Sequence, residues 1–114
     1  MTDEKDTNGM PARAPGAKFD AGKNRLGLVL FGFARALKAV GEVGTDGAAK
    51  YSDNGWREVP DGEARYTDSM FRRLFDEAEG TAIDPKSGSL HAAHAAWNAL
   101  ARLELMLRDG ADHA

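Results

Sequence analysis

From Leu28 onward, the apolar residues Leu30, Phe33, Leu37 and Val40 recur at spacings of three and four, the stripe of an amphipathic helix. This predicts helix one over roughly 26–42, with Gly41 and Gly44 supplying its end. Gly27 and Gly32 each lower helix propensity by ~1 kcal/mol, so the early part is expected to be irregular or open to a close backbone. Met70, Phe71, Leu74, Phe75 and Ala78 form a second stripe, with Thr67-Asp68 as the capping pair and Gly80 as the stop. After a tight turn over Asp84-Pro85-Lys86-Ser87-Gly88-Ser89, the residues Leu90, Ala93, Trp97, Leu100, Ala101 and Leu107 mark a long helix three to about Arg108, N-capped by Ser89. No alternating β-branched run is long enough for a strand, and no repeat is visible. The predicted fold is all-α with three principal helices.

Between helices one and two, Thr45 to Ala64 carries Asp46, Gly47, Asp53, Asn54, Gly55, Pro60, Asp61 and Gly62, a density of turn formers that predicts a long loop. Tyr51 and Trp56 within it argue that the loop is ordered. Residues 1–17 mix Pro, Gly and charge without apolar periodicity and are expected to be a flexible arm. The organisation expected is therefore an arm over 1–17, one domain over 18–109 and a short tail over 110–114. Three helices with wide apolar stripes make a thin core, so a homo-oligomer paired across a symmetric interface is expected.

Composition narrows the chemistry. The chain has no cysteine, which excludes disulfides, thiolate catalysis and cysteine-based metal sites. No apolar run approaches the ~20 residues that span a bilayer, and the N-terminus lacks the apolar segment of a signal peptide, so no membrane role and an intracellular location are expected. A net charge of −3 gives no global attraction to extended nucleic acid. Binding of a phosphate-bearing ligand must then come from local clusters of cations.

Two such clusters stand out. Lys18-Phe19-Asp20-Ala21-Gly22-Lys23-Asn24-Arg25 places Lys18, Lys23 and Arg25 within eight residues beside Asp20, and Gly22 lets the backbone turn close to a ligand; a solvated basic stretch leading into helix one is the simpler reading of the same residues. Lys50-Tyr51-Ser52-Asp53-Asn54-Gly55-Trp56-Arg57 alternates aromatic rings with polar groups, so Tyr51 or Trp56 can stack on a base while Asn54 or Asn98 reads its edge, or the rings can pin the loop to the helices. His91, His94 and Asn98 fall at i, i+3 and i+7 on one face of helix three, where hydrogen bonding to a ligand is favoured over metal ligation, and partly buried histidines packing beside Trp97 are the other reading. Carboxylates that could converge on a divalent ion are few: Glu77, Glu79 and Asp84 are the candidates.

The ordered motifs K-F-D-A-G-K-N-R at 18–25, G-A-A-K-Y-S-D-N-G-W-R at 47–57, Arg65-Tyr66-x-Asp68, and D-P-K-S-G-S-L-H-A-A-H-A-A-W-N at 84–98 resemble the phage dATP/dGTP diphosphohydrolase-like, or MazZ-like, family, distantly related to the all-α MazG pyrophosphohydrolases. The resemblance covers about 18–107. It implies an all-α, oligomeric, nucleotide-binding protein of the cytoplasm of an infected bacterial host, whose enzymatic relatives use Mg²⁺ or Mn²⁺ to release pyrophosphate from purine deoxynucleotides. Where those relatives read R-H-L this chain has Arg72-Arg73-Leu74; where they read G-E-x-x-D it has Gly80-Thr81-Ala82-Ile83-Asp84; where they read D-P-E-S-G it has Lys86. Two carboxylates and an imidazole are thereby lost and two cations gained, so Arg73 and Lys86 are expected to hold phosphate directly, with Arg65 and Ser87 beside them. A cation replaces a metal's charge but not its activation of water. The expectation is a binding protein without a cofactor or catalytic residues, one that sequesters a nucleotide-derived ligand such as a cyclic oligonucleotide or ADP-ribose derivative of host immunity. The alternative is a Mg²⁺- or Mn²⁺-dependent dATP/dGTP diphosphohydrolase that keeps its metal on Glu79 and Asp84.

Overall fold

A computed structural model describes Lys5 and residues 7–113. Among these residues the regular elements are helical: α1 (Leu26–Gly32), α2 (Ala34–Lys50), a short 3₁₀ turn (Gly55–Glu58), α3 (Gly62–Glu79) and α4 (His91–His113). The all-α expectation holds, with four helices in place of three. None of the helices is long and apolar enough to cross a membrane.

The chain divides into two compact units, 1–32 and 33–114. In the first, part of the expected arm (residues 1–4 and 6) lies outside the described residues, and the rest forms tight turns, with Ala14 N donating to Pro11 O and Ala17 N to Ala14 O at 3.0 Å each. Gly22 takes φ +77°, left-handed backbone that glycine adopts without steric cost, and Lys23 N closes that turn on Asp20 O. α1 follows, and every one of its residues is exposed.

The second unit is built on an antiparallel hairpin of α3 and α4, with α2 and the 3₁₀ turn packed on α4. The pairing is visible in three levels: Gly62 lies against Leu105, Thr67 meets Arg102, and Arg73 meets His91. Gly62 is buried at the first level, where a Cβ would stand 2.7 Å from the Leu105 methyl. The inward face of α4 carries Ala93, Ala95, Ala101 and Leu105, small side chains that let neighbouring helices come close.

Five boundaries differ from the sequence reading, one of them the far end of α4, which continues to His113 past the expected end near Arg108 and through 110–113 of the expected tail. Helix one is interrupted at Phe33 (φ −104°, ψ 27°), directly after Gly32, and resumes as α2. α2 then runs through Gly41, Gly44 and Gly47 to Lys50, so the expected loop over 45–64 shrinks to 51–61. The glycines do not end the helix because packing replaces what propensity lacks: a Cβ on Gly44 would stand 3.2 Å from Trp97 Nε1. α3 begins at Gly62, and Thr67 is not its cap; its hydroxyl donates to Glu63 O at 2.7 Å and accepts from Arg102 Nε at 2.7 Å. α4 starts at His91, because Leu90 pairs with Ile83 in an antiparallel bridge and Ser89 O is taken by Asp84 N at 2.8 Å, which leaves Ser89 in the turn. The expected stop at Gly80 is where α3 ends.

Candidate functional site

Asp84 organises the α3–α4 connection. Its main-chain N–H donates to Ser89 O and its carbonyl accepts from Gly88 N, each at 2.8 Å, which closes the loop on itself. Its carboxylate accepts from Ser87 Oγ at 2.8 Å, from Ser87 N at 3.2 Å and from Lys86 N at 3.4 Å. Arg73 reaches across from α3 to pair with the same carboxylate at 3.3 Å. The Ser87 hydroxyl, the two main-chain N–H groups and the Arg73 guanidinium outweigh the cost of burial and hold the Asp84 carboxyl far below the usual carboxylate range. Asp84 is therefore a buried, ionised anchor.

The tautomers of both histidines follow from their partners. An ionised carboxylate only accepts, so Ser87 donates to Asp84 and must accept from His94 Nε2, 2.9 Å away. His94 thus carries its proton on Nε2, and burial and the nearby Arg73 lower its pKa despite the opposing pull of Asp84. This is not a nucleophile-and-base pair, since the serine proton is directed away from the imidazole. Arg73 Nη1 lies 3.4 Å from His91 Nδ1, and because a guanidinium only donates, His91 Nδ1 is the acceptor there. His91, 5% exposed, backs Arg73 from behind.

These groups stand at one end of an open groove of about 1580 Å³ within the second unit, formed by α2, the 51–61 loop, α3 and the Asp84 loop against α4. That exceeds the about 300–1,000 Å³ of common small-ligand sites, room for a polyphosphate together with a base. Five cations line it, Lys50, Arg65, Arg72, Arg73 and Lys86, against three carboxylates, Asp46, Asp53 and Asp84. In the middle, Trp56, Tyr66 and Trp97 meet edge to face with centroids 5.6–6.4 Å apart. The Tyr66 hydroxyl donates to Trp56 O at 2.8 Å, and Arg57 covers the Trp56 ring at 5.5 Å. Tyr51 is 77% exposed at the rim, with Lys50 Nζ 5.2 Å from its ring centre.

The structure thus gathers Lys50, Tyr51, Asn54, Trp56, Arg65, Arg73, Lys86, Ser87, His94 and Asn98 around one groove, with His91 behind it. Lys18, Asp20, Lys23 and Arg25 belong to the first unit, where Asp20 accepts from the Thr7 hydroxyl at 2.7 Å. Arg72, named in the sequence only within Arg72-Arg73-Leu74, also lines the groove, as do Tyr66 and the α2 glycines Gly41, Gly44 and Gly47, to which the sequence reading gave no role in the site.

A metal ion would need donors that are free. Among the described residues no group of three histidines or carboxylates is placed to hold one. The Asp84 oxygens are already engaged, and Glu79 is exposed at the end of α3. The donor set of one copy of this chain does not fit a divalent metal centre.

An all-helical domain with a cation-lined groove beside the Asp84–Arg73 pair defines the fold and the candidate site. The model of the dATP/dGTP diphosphohydrolase, N-terminal, family matches residues 13–113, and the chain belongs to that family. No curated protein and no solved structure shows a significant match to it.

Proposed function

We propose that the second unit binds a purine deoxynucleoside triphosphate or a related nucleotide and holds it intact, with phosphates at the Arg72–Arg73–Lys86 end and the base toward Asn98. The observation that carries this is the concentration of five cations on one groove in a chain of net charge −3. Charge-assisted contacts from guanidinium and ammonium groups supply the attraction, and the exposed Lys86 has its ammonium available for it. The family's nucleotide chemistry supports the ligand class. The engaged Asp84 carboxylate supports capture without conversion, which suits a protein that sequesters a nucleotide-derived signal.

The second reading, favoured by the family name, is hydrolysis of dATP or dGTP with release of pyrophosphate. One experiment separates them. The protein is incubated with dATP and dGTP in Mg²⁺ or Mn²⁺, heat-denatured, and the nucleotides are identified by mass spectrometry. Bound triphosphate released intact is the expected result; monophosphate and pyrophosphate above a heat-killed control select hydrolysis.

A further inference from the structure

Asn98 lies one turn beyond His94 on α4, is 6% exposed, and lines the groove. Its Nδ2 donates to the main-chain carbonyl of His94 at 2.8 Å. A carbonyl oxygen can only accept, so the NH₂ end of the amide must face it and the side chain cannot be flipped. The opposite end, Oδ1, is therefore presented as an acceptor with its orientation set by the helix itself. An open acceptor of this kind is costly to leave without a donor once a ligand covers it and displaces its water, which makes it discriminating toward whatever fills the space.

The wall facing this part of α4 is shaped for a flat ligand. Gly41, Gly44 and Gly47 of α2 all line the groove. A Cβ on Gly41 or Gly47 would meet nothing within 4 Å, so both leave open space over bare helix backbone, whereas Gly44 is closed against Trp97. Arg72, Arg73 and Lys86 supply donors that satisfy an anionic group, with Lys50 and Arg65 the other cations on the groove. A ligand with phosphates at that end brings its base to a region where the fixed polar group is an acceptor.

We propose that Asn98 is the specificity-determining residue of the groove. Its Oδ1 accepts a hydrogen bond from an N–H on the pairing edge of a purine, the 6-amino group of adenine or the N1–H and 2-amino group of guanine. A purine with no such donor covers the oxygen without pairing it and is rejected. The inference rests on the nucleotide-binding reading above and adds to it the polarity of the base edge selected.

The test compares dATP, dGTP, the triphosphate of unsubstituted purine deoxyriboside and inorganic tripolyphosphate by calorimetric titration on the unmodified chain. dATP or dGTP should bind at least tenfold more tightly than the unsubstituted purine, the size of penalty expected for an unmet buried polar group. Which of the two binds better identifies the donor. In Asn98→Leu, checked for folding by its helical signal and melting, the ratio between adenine or guanine and unsubstituted purine should collapse toward one. A purely structural role for Asn98 would lower all affinities together and leave the ratio in place, which overturns the proposal. Equal binding of the three nucleotides to the unmodified protein overturns it as well, independently of whether the variant folds. Tripolyphosphate binding with equal base affinities would leave the groove reading standing and remove only this inference; no binding of any probe removes both.

Discussion

At the scale of single residues, the acid side of the stability profile is set by two groups whose pKa values fall on folding. Asp84 is held ionised chiefly by the Ser87 hydroxyl, so its contribution is complete above the usual carboxylate pKa of ~3.9 and is lost as pH falls through its depressed folded value. His94 is kept neutral by burial and by Arg73, with His91 acting in the same direction and Asp84 and Asp46 opposing. Its contribution is complete above the ordinary ~6.5 and declines below it, because the unfolded chain takes up a proton that the folded chain resists. The melting temperature should therefore drop between pH 7.5 and 5, and His94→Gln, which keeps a donor for Ser87, should flatten that drop. A profile unchanged by the substitution would remove His94 from the account. The two loop aromatics separate in the same way. Trp56 is wedged among Tyr66, Trp97 and Arg57, so Trp56→Ala should destabilise by ~3 kcal/mol, read as a fall in melting temperature. Tyr51, 77% exposed, offers its free face to a base, so Tyr51→Ala should leave melting unchanged and weaken nucleotide binding about tenfold.

At the scale of elements, glycine has opposite meanings in α2 and α3. Gly62 is where α3 and α4 come closest, and Gly62→Ala would drive a methyl into the buried Leu105, a cost of ~1–3 kcal/mol. Gly41→Ala meets open space in the middle of α2 and should instead stabilise by ~0.5–1 kcal/mol through helix propensity. Measuring both by chemical denaturation checks the assignment, since a sequence-only view ranks the two glycines as equivalent breakers. That difference explains what was legible before the structure. The stripes of α3 and α4, the stop at Gly80 and the polar face of His91, His94 and Asn98 depend on local spacing and could be read directly. The extension of α2 through Gly44 and Gly47 depends on Trp97, more than 45 residues away, and reads locally as a turn. The site divides along the same line. Its residue types, cations and aromatics, are visible in sequence, but the Arg73–Asp84 pair and the His91 contact behind it exist only once the hairpin brings 73, 84 and 91 together.

At the scale of the whole molecule, the hydrophobic surface is out of proportion to the core. Among the described residues the buried apolar set is Val43, Ala93, Ala95, Ala101 and Leu105, mostly alanine. By contrast Phe71 and Phe75 on α3 are 50% and 65% exposed, and Leu100, Leu103 and Leu107 on α4 are 49–62% exposed. Contiguous apolar faces of this kind mark surfaces that another protein covers. The charges on α3 favour a second copy as that protein. Asp68, Arg72 and Asp76 stand one turn apart beside the two phenylalanines and share a surface recess with them. Two α3 helices related by a twofold axis near Leu74 would run antiparallel, setting Arg72 of each copy opposite Asp76 of the other with the aromatic rings between them. The expected mass in sedimentation equilibrium is therefore at least twice the 12.2 kDa of the chain. Phe71→Glu combined with Phe75→Glu should return it to the monomer value. Because the same helix carries Arg72 and Arg73 into the groove, the dissociated variant should also bind nucleotide less tightly; a monomeric mass for the unmodified chain would show that these faces are covered by something other than itself.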